Sequence, residues 1–572
     1  MIHNTIKIKS GFLALTLAFL GGCSVEPSYY SQLDPQRFFQ GQDQVYQRFY
    51  RPFTHWAWAL SDLGPRSPLY FLQEFTTDEL CLPARGKDWY DDGAFVRPYF
   101  HTFTPLLTGL NDAWRAFSMG IAQAWSALED IERHVDFDAL GFPEGTRESM
   151  RMQLQTLVAS YYLIALDHFG GVPLYASNQE EAKPRASDKE TFEFIEALLL
   201  EAIPNLPLKT ELGTLENGSI HRATGAMLLA RLYFNAGAYI GEDRFDDCAA
   251  ICHDILDGKH GSYALADDWT DIFGFSNETC PEILWSIPSE NARREIKGGC
   301  YHYSTHYNTR IFLSNPELTS YNGFCLTPSL DKDGNSYRDR MKLGCPFAKF
   351  EDTDIRKQLY VYEGNGKYRG MFLMGKLVNP LTGEACTADG SREYLAGDTI
   401  SMVDQIAYLS QEGNERKEGV LYAEENSGIR LFKFSPVPTA ADKNLWHNPD
   451  VPVIRLTEVY YTLAECEFRA GNKAEAASLI NQVRARYLPD GDPNPVTAGN
   501  LDEYRMLDEW MIEFLGEGRR RTDLIRWNKY TTEPWFDRFV EHPPLNNPNY
   551  NRFPIPDEAI GANNLIVQNP GY

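Results

Sequence analysis

One loop near the N-terminus combines the side chains that a sugar-binding site needs. Residues 77–93 read TDELCLPARGKDWYDDG, and Pro83, Gly86 and Gly93 predict that this stretch is a loop. A pyranose has an apolar face that stacks on an aromatic ring, and hydroxyl groups that pair with arginine and carboxylate side chains. The ligand-binding residues predicted here are Asp78, Arg85, Trp89, Tyr90 and Asp91. The alternative is a loop whose tryptophan plugs the interior of the scaffold.

A second group of aromatic residues lies in the middle of the chain. Tyr301, Tyr303 and Tyr307 follow one another closely in a stretch rich in glycine, proline and asparagine. Their spacing fits the alternate faces of a strand, or one side of an irregular loop. We predict that they are further ligand contacts. The spacing leaves open whether all three side chains point to the same site.

Two motifs with metal-binding side chains favour structural explanations. Cys248 and Cys252 lie one helical turn apart, but no second pair completes four ligands, so we predict buried cysteines. Residues 331–335 resemble the start of a calcium loop, yet Ser336 and Lys342 stand where such a loop needs Gly and Glu. We predict a surface turn at this place, and neither a metal nor any other cofactor.

The sequence offers no motif of a common hydrolase. It contains no Gly-x-Ser-x-Gly elbow, no His-Glu-x-x-His and no phosphate-binding loop. With 79 acidic residues, a pair of carboxylates is no evidence for a glycosidase unless its geometry is known. We therefore predict that the protein is not an enzyme, and a surface glycoside hydrolase is the least favoured alternative.

Composition and charge narrow the class of partner. The 572 residues include 54 Lys and Arg against 79 Asp and Glu, for a net charge of −25. An acidic surface of this size repels phosphate backbones, so we predict that nucleic acid is not a partner. The 31 Tyr, 33 Phe and 11 Trp supply many flat apolar surfaces, for a neutral ligand or for helix interfaces.

The N-terminus has the order of an export signal. Lys7 and Lys9 precede the apolar run 11–20, which is followed by Gly-Gly-Cys at 21–23. This ending resembles a bacterial lipobox, which implies that Cys23 becomes the first mature residue and carries lipid. We predict a lipoprotein signal peptide over 1–22 and a lipidated leash over 23–43. The alternative is an ordinary signal peptide with an incidental cysteine, and the pairing of the nine other cysteines stays open.

Helical periodicity dominates the rest of the chain. Apolar residues recur at three- and four-residue steps over 150–167, and the Gly-Gly-Val-Pro at 170–173 ends this helix. Residues 229–237 and 463–471 each place Ala seven residues before Gly. The small Ala lets two helices approach and the Gly reverses the chain, so we predict a turn at each glycine, which resembles the hairpin of a tetratricopeptide unit. We predict a helical part over 44–290, a loop-rich, ligand-facing part with a few short strands over 291–450, and a second helical part over 451–572.

Several segments, taken together and in order, resemble the SusD/RagB-like outer-membrane lipoproteins. The C-terminus resembles the family's "FPIP…N…QNPGY", with NRFPIP at 551–556 and NNLIVQNPGY at 563–572. Residues 513–527, EFLGEGRRRTDLIRW, resemble its "E-[LF]-x-x-EG-x-R-x-x-DL-x-RW" helix. Read alone, the Arg519–Arg521 run with its neighbouring carboxylates predicts exposed and bridging ion pairs, with an anion site as the alternative.

Two further stretches extend the resemblance over most of the chain. Residues 161–175 match the family's "YY…L…FGGVPL", and residues 455–471 match its "R-x-x-EVYL-x-AEA". The fold that this implies is mainly α: a SusD-like fold whose tetratricopeptide-like helical hairpins support a loop-rich part with a few short strands. A subgroup of the family also has a stretch similar to 77–93, and the family's ligand sites draw on this region.

The resemblance also implies a function in nutrient uptake. Members of the family bind nutrients beside a TonB-dependent transporter, which implies that this chain captures oligosaccharide or polysaccharide, without catalysis, for a SusC-like transporter. The lipid on Cys23 would hold it at the outer membrane, exposed at the cell surface. The RagB side of the family implies the alternative, which is an uptake lipoprotein that binds peptides.

Overall fold

The computed structural model describes residues 38–60, 67–86, 88–210, 212–213, 216–290, 301–391, 395–410, 415–434, 439–445, 448–537 and 546–572. The predicted signal peptide, Cys23 and most of the predicted leash lie outside the described residues, and so does the side chain of Tyr301. No helix within the described ranges is both long enough and apolar enough to cross a membrane.

The N-terminal part is a stack of helices. Helices α1 to α9 are Gln42–Leu60, Tyr70–Glu74, Val96–Tyr99, Thr108–His134, Thr146–Phe169, Asp188–Ala202, Arg222–Phe234, Ala236–Ile240 and Phe245–Leu256. Helix α4 packs against both α1 and α5, and α5 packs in turn against α6. The helix predicted over 150–167 is confirmed as α5, whose predicted apolar residues are nearly all buried.

The middle of the chain is built from short elements. Helices α10 to α13 are Thr270–Phe273, Tyr301–Ser304, Thr309–Phe312 and Pro346–Lys349. Strands β1 to β12 are Leu80–Cys81, Ile283–Ile287, Cys325–Leu326, Val361–Gly364, Lys367–Arg369, Phe372–Leu373, Gly375–Lys376, Ser401–Met402, Ala407–Leu409, Arg416–Glu418, Arg430–Leu431 and Val451–Arg455. They form antiparallel pairs: β1 with β3, β2 with β12, β4 with β5, β6 with β11, β7 with β8 and β9 with β10. The prediction of loops with a few short strands over a helical scaffold is confirmed.

The C-terminal helices join the same hydrophobic core as the N-terminal ones. Helices α14 to α18 are Leu456–Arg469, Lys473–Arg484, Glu503–Phe514, Arg520–Arg526 and Asp557–Ala562. Strand β12 leads directly into α14 and pairs with β2, where Trp285 stacks on Trp56 of α1 at a ring distance of 5.1 Å. The common core includes residues from all three predicted parts, whose boundaries stay predictions.

The two predicted helical hairpins turn in different ways. In the second, α14 packs against α15, and Gly471 takes a φ of 88° at the predicted turn. In the first, the turn predicted at Gly237 is wrong, because Gly237 lies inside the short helix α8. The left-handed residue there is Gly241, with a φ of 72°. The extra turn is held by Tyr239, whose hydroxyl donates to Asp167 of α5 over 3.0 Å.

Ion pairs cross the interior and connect the two helical parts. The prediction of exposed pairs for Arg519–Arg521 is wrong for Arg520 and Arg521, which are 1% and 0% exposed. Arg520 contacts Asp78 and Arg521 contacts Asp167, at 2.7 and 2.9 Å. Both partners precede the arginines by hundreds of residues, so these pairs bridge distant segments.

Two buried carboxyl groups hold the turn that precedes α17. Glu74 accepts hydrogen bonds from the backbone of Gly518 (2.6 Å) and Arg519 (3.1 Å), and Glu79 accepts one from Gly516 (3.3 Å). Burial raises the pKa of Glu74 to about 7. Burial and the neighbouring charge of Glu74 raise the pKa of Glu79 well above its usual range. The pair therefore retains a proton at a pH where exposed glutamates have lost theirs.

The variant Glu79→Gln is expected to flatten the pH dependence of stability. Above the ordinary glutamate value of 4.5, the raised pKa of Glu79 keeps this carboxyl protonated in the folded chain, which therefore binds more protons than the unfolded chain. The free energy of unfolding of wild type therefore falls as the pH rises above the ordinary glutamate value. Because an amide cannot ionise, the variant should gain stability relative to wild type from pH 5 to pH 8.

Urea unfolding at pH 5, 6, 7 and 8 measures this difference. Glu475→Gln, at an exposed position of α15, is the control and should follow wild type at every pH. Equal pH slopes for Glu79→Gln and wild type would contradict a shared proton in this pair.

Candidate ligand-binding surface

The loop that follows β1 is fixed at its base by Arg85. The backbone of Arg85 pairs with that of Asp88 through two hydrogen bonds of 3.0 Å. The Arg85 guanidinium is buried and donates to three backbone carbonyls, those of Glu424 (2.5 Å), Ser427 (2.9 Å) and Gly323 (3.2 Å). Arg85 therefore supports the loop from the interior, and the ligand contact predicted for it is corrected to this structural role.

Asp78 also belongs to the interior. It is 0% exposed, and its two carboxylate oxygens accept from Arg520 at 2.7 and 2.9 Å. The backbone of Gly344 donates a further hydrogen bond of 2.8 Å to it. Burial alone would raise the pKa of Asp78, but the charge of Arg520 outweighs this and lowers it. A carboxylate bound in this way cannot reach a ligand, so the contact predicted for Asp78 is corrected to a structural role.

The backbone of the loop is strained where the aromatic side chain leaves it. Trp89, Asp91 and Asp92 have φ values of 66°, 40° and 53°, which are left-handed and unusual for residues other than glycine. Such conformations cost about 1–3 kcal/mol each and concentrate at functional sites. At Trp89 the indole Nε1 donates to the carbonyl of Tyr321 over 2.7 Å, which holds the ring in place.

Three aromatic side chains meet at this point and form the ring cluster, which we define as Trp89, Tyr303 and Tyr321. The ring of Trp89 lies 6.1 Å from that of Tyr303, edge to face at 78°. Tyr303 stacks on Tyr321 at 5.8 Å and 27°. Tyr321 is 46% exposed, and the other two rings are half-buried. The cluster therefore presents aromatic surface to solvent while its base is packed.

The two segments that carry the tyrosines are tied together by their backbones. Tyr321 N donates to His302 O over 2.8 Å, and Gly323 N donates to Tyr303 O over 2.6 Å. A Cβ on Gly323 would lie 2.6 Å from Tyr303 O and 2.8 Å from the Trp89 ring, closer than real Cβ atoms come. The ring cluster therefore requires glycine at position 323.

Polar side chains are connected to the ring cluster by the chain or by hydrogen bonds, and we call Asp88, Tyr307, Asn308 and Asp389 the polar rim. The Tyr307 hydroxyl donates to Asp88, and Asn308 Nδ2 donates to Asp389 over 2.8 Å. Burial and the Asp88 carboxylate raise the pKa of Tyr307 above its ordinary value, so the phenol keeps its proton. Each carboxylate retains further lone pairs that can accept from ligand hydroxyls.

A buried pair positions the rim from below. His306 contacts Glu425 over 2.9 Å, and Glu425 accepts from the backbone of Asp389 over 2.9 Å. Burial alone would raise the pKa of Glu425, but the hydrogen bond to His306 and the other donors lower it. The carboxylate is therefore ionised and bound inside the protein, where it orients the rim.

The remaining predicted residues lie on the exposed part of the loop. Tyr90 is 49% exposed, and Asp91 is exposed beside it. Tyr303 lies beside Trp89, because their rings are in contact. Tyr307 lies beside the same loop, because its hydroxyl donates to Asp88. The side chain of Tyr301 lies outside the described residues.

Sequence reasoning missed Tyr321, the most exposed member of the ring cluster. It is followed by Asn322, with a φ of 47°, and by Gly323. The Tyr-Asn-Gly order is a turn signal in an aromatic-rich stretch, and it was the one local feature that could have indicated this residue. The polar rim was missed except for Tyr307.

The two motifs with metal-binding side chains are a pair of buried cysteines and a turn whose residues 333–335 are exposed. Cys248 and Cys252 are both buried, as predicted. The Asp331 carboxylate accepts from the backbones of Asp333 (3.0 Å) and Asn335 (2.8 Å), which is the predicted turn. Within the described ranges, no group of three or more His, Cys, Asp or Glu side chains could hold a metal ion.

Comparisons with known proteins agree on one family. A sequence model of the SusD family matches residues 281–572, just over half of the chain. The starch-binding protein SusD of Bacteroides thetaiotaomicron is 25% identical over 451 residues, which are 76% of this chain and 74% of that protein.

Solved structures share the fold at low sequence identity. The surface glycan-binding protein A of Bacteroides uniformis has a TM-score of 0.62 at 18% identity, covering 92% of this chain and 99% of that one. The surface glycan-binding protein A of Bacteroides thetaiotaomicron, solved in complex with laminarihexaose, has a TM-score of 0.61 at 16% identity, with the same coverage of 92% and 99%.

Proposed function

Because the chain belongs to the SusD family, we propose that it is a surface glycan-binding protein that captures oligosaccharide or polysaccharide without cleaving it. The observation that carries this proposal is the ring cluster, in which an exposed tyrosine ring stacks on a second tyrosine beside Trp89. Aromatic rings of this kind suit the apolar faces of successive sugar units.

The polar rim supplies the complementary hydrogen bonds. Asp88 and Asp389 can accept from sugar hydroxyls, and Asn308 can both donate and accept. Each such bond contributes about 0.5–1.5 kcal/mol net, so several are needed beside the stacking. Tyr90 and Asp91, exposed on the same loop, extend this surface in the proposal.

The relatives support a glycan as the ligand class. The name of the SusD relative gives starch as its ligand, and one structural neighbour was solved with laminarihexaose. These ligands belong to those proteins, and we propose for this chain only the class that they share. A peptide ligand, as in RagB-like proteins, is the alternative that the experiment below includes.

The bonding of the carboxylates supports binding without chemistry. Asp88 accepts from Tyr307, and Asp389 accepts from Asn308. Glu425 is only 7% exposed and is bound to His306. A glycosidase needs one carboxyl group with a raised pKa to protonate the leaving group, whereas the pKa of Glu425 is lowered.

We extend the proposal to localisation and partner. Lipid on Cys23 would anchor the chain at the outer membrane. The predicted leash would then connect this lipid to helix α1, which begins at Gln42. The glycan would pass to a SusC-like TonB-dependent transporter, over which this protein acts as a lid. Acyl labelling that disappears in Cys23→Ala is the expected result for the anchor.

Affinity electrophoresis of the purified chain against plant, host and microbial polysaccharides tests the ligand class. We expect one polysaccharide class to retard the protein and no reducing sugar to be released. Casein-derived peptides serve as competitors in the same gels. Binding of peptides alone would replace the glycan proposal by the peptide alternative, and release of reducing sugar would refute binding without catalysis.

A further inference from the structure

Two cysteines face each other on the strands that adjoin the Trp89 loop and the Tyr321 segment. Cys81 of β1 and Cys325 of β3 are register partners in an antiparallel pair, both side chains are 0% exposed, and their sulfurs lie 3.9 Å apart. Thr327 N donates to Glu79 O over 2.9 Å two residues further along, so by alternation 81 and 325 form a hydrogen-bonded pair. In such a pair the Cα atoms lie about 5.5 Å apart, within the range of about 4.4–6.8 Å that disulfides span.

The surroundings leave room for the sulfurs and favour the thiolate form of Cys325. A Cβ on Gly428 would lie 2.3 Å from Cys325 Sγ, so glycine at 428 makes the space for this side chain. Arg85 Nη2 donates to Cys325 Sγ over 3.6 Å, and the charge of Arg430 acts on the same sulfur. In the part of the chain that the structure describes, neither guanidinium forms a salt bridge with a carboxylate, which leaves Cys325 as the adjacent group that can carry the opposite charge.

The electrostatics agree with this geometry. Burial raises the pKa of the Cys325 thiol, but the hydrogen bond with Cys81 and the charges of Arg85 and Arg430 outweigh this and lower it to about 6. Burial raises the pKa of Cys81 well above its usual range. The pair therefore consists of one thiolate, which is the nucleophile in disulfide exchange, and one thiol.

From this arrangement we propose that Cys81 and Cys325 are joined by a disulfide bond in the exported protein. The Cys325 thiolate attacks a disulfide R–S–S–R, forms a mixed disulfide and expels one R–S⁻. The Cys81 sulfur then attacks Cys325 Sγ, and the second R–S⁻ leaves. One protein thiolate and one protein thiol are oxidised, and one R–S–S–R is reduced. The proton of Cys81 passes to one R–S⁻ group, and the other takes up the proton that Cys325 had released to the solvent. The oxidant is a protein or low-molecular-weight disulfide, as oxidising compartments supply.

The bond would clamp the base of the proposed binding surface. It would connect the start of the Trp89 loop to the segment of Tyr321 and Gly323, across a sequence separation of 244 residues. Without it, this junction depends on the two-residue strand pair and on the hydrogen bonds of Arg85. Because cations beside the sulfur stabilise the thiolate, the bond should be reduced more readily than an ordinary structural disulfide.

Thiol mapping of the full chain tests this inference. The chain is expressed with its own leader, recovered from the membrane fraction, and alkylated with iodoacetamide in denaturant at lysis. We expect a linked peptide pair containing Cys81 and Cys325, two hydrogens lighter than the separate peptides and lost on treatment with dithiothreitol. Cys325→Ser should abolish the linked pair, and Cys386→Ser, which removes another buried cysteine, should retain it.

The disulfide depends on the proposed function in one respect, which is that the protein is exported to an oxidising compartment. A second preparation tests the disulfide without that export. In the chain without residues 1–22, kept in a reducing cytoplasm, iodoacetamide should alkylate both thiols. A sample of the same chain that is incubated with oxidised glutathione before alkylation should contain the link. A link formed only in this preparation supports the pair and contradicts the proposed export. Full alkylation of Cys81 and Cys325 in both preparations, or a link confined to other cysteines, would overturn the proposal whatever ligand the protein binds.

Discussion

Replacement of Glu513 by alanine is expected to lower the free energy of unfolding by about 3–5 kcal/mol, because it leaves buried cations without their partner. Glu513 is 1% exposed. Its carboxylate accepts from Arg455 (2.7 Å), Arg356 (2.9 Å), Tyr487 (2.9 Å) and Arg486 (3.3 Å). Arg455 ends β12, Arg486 and Tyr487 lie in the 3-10 turn after α15, and Arg356 lies in a loop before β4. The network therefore connects the loop-rich part to the C-terminal helices.

The pH dependence of this effect follows from the same contacts. Burial alone would raise the pKa of Glu513, but the charges of Arg455 and Arg356 outweigh it and hold the pKa far below its ordinary value. The stabilisation is therefore fully present above the unfolded value and is lost only as the pH falls well below it. The difference between variant and wild type should persist from pH 8 down to pH 5.

Urea unfolding followed by circular dichroism measures this effect. Glu475→Ala, at an exposed position of α15, is the matched control and should change stability by about 0.5 kcal/mol or less. If Glu513→Ala does not fold, Glu513→Gln keeps the shape and part of the hydrogen bonding and should show a smaller loss. A loss below 1 kcal/mol in both variants would contradict the role assigned to this network.

Features that depend on local sequence were predictable. The α5 helix and the turn at Gly471 follow from apolar periodicity and from a glycine that takes a left-handed conformation. The prediction of a hairpin turn at Gly237 is wrong, although the same Ala and Gly spacing occurs there. There the hydrogen bond from Tyr239 to Asp167, 72 residues away, stabilises one more helical turn, and no local pattern contains that partner.

The functional roles within the loop were not predictable for the same reason. Asp78 and Arg85 have the right chemistry for a sugar, but their partners lie up to 442 and 342 residues away along the chain. Tyr321, whose carbonyl oxygen accepts the hydrogen bond from Trp89 Nε1, lies 232 residues further along the chain. Residue type therefore indicated which loop could bind a ligand, whereas the fold determined which of its side chains face solvent.

Trp89→Ala is expected to weaken glycan binding at least tenfold, which is about 1.4 kcal/mol of binding free energy. The substitution removes a stacking surface of the ring cluster and the hydrogen bond from Nε1 that holds Tyr321. Trp58→Ala is the matched control, because Trp58 is 52% exposed on α1 and belongs to neither the ring cluster nor the polar rim. Affinity electrophoresis with the polysaccharide identified for wild type measures both variants.

Gly323→Ala tests the same surface without deleting any aromatic ring. The added Cβ would lie 2.8 Å from the Trp89 ring and 2.6 Å from Tyr303 O, so both must shift and the stacking geometry is lost. Binding should again weaken, whereas the free energy of unfolding should fall by only about 1–3 kcal/mol. Gly561→Ala is the control, because a Cβ there meets no atom within 4 Å. If Trp89→Ala and Gly323→Ala both bind as wild type does, the ligand contacts another surface, and the ring cluster is a packing feature of the loop.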